Sequence, residues 1–95
     1  MRINFKALPR EVQRDLYETI NSLELRGIKP SDERYQNAIR KVMSMHKDEL
    51  EALGIDADMF TEYLLYLISN FGASRILELL IAKNSASKSK LISYL

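Results

Sequence analysis

The sequence predicts an all-α protein: a compact bundle of four helices plus a short C-terminal fifth helix. Three observations support this. Apolar residues recur at three- and four-residue spacing along most of the 95-residue chain, the signature of helices that bury one face. Gly27, Gly54 and Gly72 each stand where one of these periodic stretches stops, and glycine readily adopts the left-handed conformation that closes a helix. Alternation with period two occurs only in Met1–Lys6, which is read as a short strand or extended arm with no second strand to pair with. The whole of 1–95 is expected to form one helical domain, since the chain is too short for two and has no linker or internal repeat.

Each element has its own signals. In the first helix Pro9 suits the first helical position, where its missing N–H would have been unpaired anyway. Glu11 favours the positive end of the helix dipole. Leu8, Val12, Leu16, Ile20 and Leu23 then form the core stripe, with Tyr17 beside it. Gly27 ends the helix, Ile28 is placed to pack back, and Pro30 blocks continuation. Ser31 or Asp32 is expected to cap the second helix. Its stripe, Tyr35, Ile39, Val42, His46, Leu50 and Leu53, keeps helical phase as far as Gly54, with Ala38 and Met43 adjacent. One long helix to Leu53 is therefore expected, with a break near His46 and Lys47 as the alternative. Asp56 or Asp58 caps a third helix that stops around Phe71 and Gly72. Ser74 caps a fourth that runs to Lys83 or Asn84. KNSASKSK, from Lys83 to Lys90, reads as a polar link. Leu91, Ile92, Tyr94 and Leu95 form the short fifth helix.

Composition narrows the function. At 46% hydrophobic and 28% charged, the chain is globular in type rather than disordered. It has no cysteine, which excludes disulfides and thiolate metal sites and fits a reducing, cytoplasmic setting. MRINFKALPREV lacks the apolar core of a signal peptide. Met59–Ala82 is long enough for a membrane span, but Glu62, Arg75 and Glu78 lie within it, each costing ~2.5–3.5 kcal/mol near a bilayer centre. His46 is the only histidine, so it lacks the second histidine or cysteine a metal site would need and reads as structural. Taking Glu62 as the last ligand of a calcium loop puts Leu53 and Ile55 at ligand positions, where they have no oxygen to offer. No serine sits in a nucleophile elbow, and no glycine-rich loop could cradle a phosphate. No enzyme, metal or cofactor is expected.

The stretch from Met59 to Ile81 points toward binding. At 100° per residue, Tyr66, Met59, Tyr63, Leu67, Phe60, Phe71, Leu64 and Ile68 sweep an arc of roughly 200° on the third helix, with Leu65 beyond it. Leu79, Ile76, Leu80, Leu77 and Ile81 sweep a similar arc on the fourth. A surface helix needs an apolar stripe only a little wider than ~100°. Either these helices lie in the middle of the bundle, or another chain covers part of them. Met59, Tyr63 and Tyr66 lie on one strip beside the core face. They are the expected partner-binding residues, because methionine and tyrosine are enriched at interfaces. The resulting expectation is a small non-enzymatic regulator or adaptor that binds protein, as a homodimer through an apolar surface on helices three and four.

The alternative is an accessory protein that contacts nucleic-acid phosphates through Lys83, Lys88, Lys90 and the basic N-terminal residues Arg2, Lys6, Arg10 and Arg14. RILELLIAKNSASKSKLISYL resembles the first two helices of a helix-turn-helix domain. Too few residues follow Ser89 for a groove-reading helix. The net charge is only +1, and Asp48–Glu62 holds six carboxylates and no Lys or Arg. This reading therefore ranks second.

Overall fold

The computed structural model describes residues 7–80, and every regular element among them is helical. The elements are α1 (Arg10–Leu25), α2 (Glu33–Met45), α3 (Lys47–Ala52), α4 (Ala57–Phe71) and α5, described over residues 73–80. The extended arm at Met1–Lys6, the far end of the fourth predicted helix and the short helix at Leu91–Leu95 lie outside the described residues. The bundle still has its fifth helix, because the long second helix divides into α2 and α3.

α1 forms where the stripe predicts. Val12, Leu16, Ile20 and Leu23 are buried, and Leu8 joins them from the preceding turn. Pro9 takes the N-cap position rather than the first helical one, with an extended ψ of 149°. Gln13 is fully buried, and its Nε2 donates to the Leu8 carbonyl at 2.6 Å. That bond fastens the incoming chain to the first turns of α1. At the other end, Gly27 N–H donates to Glu24 O and Ile28 N–H to Leu23 O, both at 3.0 Å. This is the Schellman closure, with Gly27 at φ +75° and Ile28 folded back onto the core.

The same closure ends α3. Gly54 N–H donates to Glu51 O and Ile55 N–H to Leu50 O, each at 2.9 Å, and Ile55 packs against the core. Asp32 caps α2 by accepting from Arg34 N–H at 2.8 Å, and Asp56 caps α4 by accepting from Met59 N–H at 3.1 Å. Ser31 and Asp58 do not take these roles. Ser74 does not cap the helix after α4 either, because the helix already includes Ala73. Gly72 makes that turn at φ +88°, ψ 152°, a conformation essentially restricted to glycine.

α1 packs on α2, α2 packs on α4, and α3 touches both α2 and α4. Ala73, Ile76 and Leu80 of α5 belong to the same core cluster. Its fully buried members include Leu16, Ile20, Tyr35, Ile39, Leu50, Leu64 and Leu80. Two ion pairs cross between elements at the surface: Arg40–Glu62 at 3.1 Å joins α2 to α4, and Lys47–Asp58 at 3.7 Å joins α3 to α4. Exposed pairs of this kind contribute at most about 1 kcal/mol, so apolar burial carries the fold.

Candidate functional site

α4 presents two faces because the Asp56 cap and the Ala57 contact fix its rotation. Phe60, Leu64 and Ile68 point into the core, and so does Leu65, only 8% exposed. The sequence arc had placed Leu65 outside. Burial is centred further round the helix than the arc, so Leu65 moves in and the opposite edge moves out. That edge holds Met59 (53% exposed), Tyr66 (57% exposed) and the partly buried Tyr63. The Tyr63 and Tyr66 rings stack, with centroids 6.1 Å apart and planes 10° from parallel. A pair in this range contributes about 0.5–1.5 kcal/mol beyond its area and fixes both rings on one surface.

Two further residues extend the strip, although they were not singled out for binding from the sequence. Met59, Tyr63, Leu67 and Phe71 follow one another at four-residue spacing, which makes a continuous ridge on a helix. Leu67 is partly buried and Phe71 is 67% exposed at the last turn. Twelve helical rises from Met59 to Phe71 give the ridge a length of about 18 Å. The polar neighbour Asn70 bonds to its own helix, donating from Nδ2 to the Tyr66 carbonyl at 2.8 Å. Periodicity alone assigned Phe71 to the core face.

A second cluster surrounds His46, which ends α2 and begins α3. Its Nε2 lies 2.7 Å from Asp15 Oδ2 on α1, and its Nδ1 lies 3.1 Å from Glu49 Oε1 on α3. Both ring nitrogens thus face carboxylates, which suits the doubly protonated imidazolium. Burial alone would lower the ring's pKa, but the hydrogen bonds to Asp15 and Glu49 outweigh it and raise the pKa above its ordinary value. Asp15 moves the opposite way, held below the usual carboxylate range chiefly by the bond to His46 and further by Arg14. The arrangement ties the α2–α3 corner to α1 through Asp15.

Shallow grooves flank these features. One of about 320 Å³ runs between α2 and α4, lined by Arg40, Ser44, Lys47, Asp58 and Glu62 among others. Another of about 350 Å³ lies between α1 and α2 beside Ala38, Val42 and Met45. Among the described residues no group of three or more histidine or acidic side chains is arranged to hold a metal ion. Burial, then the charge of Glu24 and a hydrogen bond to it, raises the pKa of the buried Tyr35 hydroxyl. No helix among the described residues is long and apolar enough to cross a membrane. Lys83, Lys88 and Lys90 lie outside the described residues. No protein-family model, curated protein or solved structure matches the chain.

Proposed function

We propose that this chain is a non-enzymatic protein-binding domain, a cytoplasmic regulator or adaptor in type, that self-associates through the α4 ridge. The observation that carries the reading is the row Met59–Tyr63–Leu67–Phe71 with Tyr66 beside it, apolar and incompletely covered by the described helices. A large apolar side chain left in water forgoes ~1.5–3 kcal/mol relative to full burial. Patches of about 300–600 Å² on small proteins are often functional. Five side chains on one helix form the patch, three of them (Met59, Tyr66 and Phe71) more than half exposed, and Leu79 of α5 is exposed as well. A standard interface takes about 800 Å² from each partner, so the expected association is reversible and of micromolar strength.

Two copies of the ridge can meet about a two-fold axis, four-residue row against four-residue row, at the crossing angle near −50° that such rows favour. The test is Tyr63→Ala with Tyr66→Ala. Light scattering should report one chain mass, and helical circular dichroism should be unchanged. Loss of fold in the double variant would show these rings to be structural and would reject the proposal.

A further inference from the structure

We propose that His46 is a proton-operated clasp: the imidazolium ties the first turn of α3, through Glu49, to a corner anchored on α1 by Asp15, and loss of its proton frees that turn of α3. Three features of the structure carry this. The first is geometry. Nε2 and Nδ1 sit 2.7 Å and 3.1 Å from carboxylate oxygens on two different helices, and only the protonated ring can donate to both. The second is position. His46 is the single non-helical residue between α2 and α3, at φ −108°, ψ 14°. The third is the weakness of what the clasp secures. α3 has six residues and one buried side chain, Leu50. Apart from His46, its cross-helix polar tie is the exposed Lys47–Asp58 pair at 3.7 Å.

The groups around the ring determine which contact fails. From α1 comes Asp15, itself paired to Arg14 at 3.4 Å. From α3 comes Glu49. On the α4 side, Asp58 pairs with Lys47, the residue after His46. A neutral ring keeps its proton on the shorter, less exposed contact to Asp15. Nδ1 then turns a lone pair toward Glu49 Oε1, and two acceptors 3.1 Å apart repel. Glu49 is 40% exposed and can swing into water, which removes the link that orients the first turn of α3. The raised pKa of His46 places this release on the alkaline side of the histidine's ordinary titration. The inference does not depend on the α4 ridge.

His46 is the only histidine, so its ring can be followed by NMR through a pH titration without assignment ambiguity. It should titrate above its ordinary value of 6.5. Amide exchange, corrected for intrinsic rates, should show α3 protection lower at pH 8.5 than at pH 5.5, by a ratio clearly above one. Linkage bounds this ratio by the factor through which the clasp raises the ring's proton affinity. Leu16 and Ile20 amides should change less. Glu49→Gln, an exposed and near-isosteric change, removes the acceptor–acceptor clash and should weaken the pH dependence of α3 protection. A ring titrating at or below 6.5 would overturn the clasp. So would α3 protection that is equal at both pH values, or a loss shared equally with Leu16 and Ile20. Unaltered pH dependence in Glu49→Gln would do the same.

Discussion

Tyr66→Ala and Leu64→Ala make the most informative pair of substitutions, because the two residues lie two positions apart on one helix and face opposite ways. Leu64 is fully buried, while Tyr66 is 57% exposed. Leu64→Ala empties a core site and should cost about 2–5 kcal/mol. At about 4–8 °C per kcal/mol for a domain of this size, the melting midpoint should drop by about 8 °C or more. Within the monomer, Tyr66→Ala loses the stacking on Tyr63, about 0.5–1.5 kcal/mol. It recovers a few tenths of a kcal/mol, because alanine is the better helix former. The net change in the monomer should be within about 1 kcal/mol. Self-association adds a second signature, since binding between folded copies makes the midpoint rise with protein concentration. Melts followed by circular dichroism from 2 to 200 µM should show such a rise in the wild type, a lower but still rising midpoint in Leu64→Ala, and a flat midpoint in Tyr66→Ala. A fall of more than 10 °C in dilute Tyr66→Ala would refute the assignment of this ring to the surface face. A concentration-dependent midpoint that survives Tyr66→Ala unchanged would place the association elsewhere.

Other parts of the fold give independent tests. The His46–Asp15 contact should add stability that is fully present below the histidine's ordinary pKa of 6.5 and lost as pH rises through its raised folded value. For Asp15, whose pKa is lowered, the contribution is present above 3.8 and lost as pH falls through its folded value. His46→Gln should therefore differ most from wild type between these limits, with the gap in urea midpoints narrowing at both extremes; a gap that widens at alkaline pH would contradict the sign. Asp56→Ala removes the cap bond to Met59 N–H and should cost about 0.5–2 kcal/mol, read by urea denaturation. Gly72→Ala meets no atom within 4 Å of the added Cβ. Its cost, about 1–3 kcal/mol, should therefore come from the backbone conformation alone, and a neutral result would mean that the α4–α5 turn relaxes.

Much of the fold was legible in the sequence because burial and periodicity coincide. Val12, Leu16, Ile20 and Leu23 show it in α1, and Ile76 and Leu80 in α5. The glycine stops were legible because the Schellman closures at Gly27 and Gly54 each place an apolar residue, Ile28 or Ile55, immediately afterwards. The break at His46 escaped the preferred reading for a physical reason. Met43 and Leu50 stand seven residues apart and are both buried, so one residue leaving helical geometry between them does not disturb the phase. Asp48 and Glu49 were the available signal, since acidic residues favour the first turn of a helix, and they lie in the first turn of α3. Asp15 and Glu49 were not legible as partners of His46, because thirty-one positions separate His46 from Asp15 and only the α1–α2 packing brings them together. The binding strip was partly legible. Helical spacing identified Met59, Tyr63 and Tyr66. The exposure of Phe71 depends on where α4 ends, and the burial of Leu65 depends on how α4 is rotated against α2.

The central claim, that the α4 ridge joins two copies of this chain, is tested most directly by light-scattering molar mass measured on the wild-type protein through a dilution series. The account predicts about twice the 11.0 kDa chain mass at high micromolar concentration, falling toward a single chain mass on dilution. A constant single chain mass at every concentration up to several hundred micromolar would contradict it.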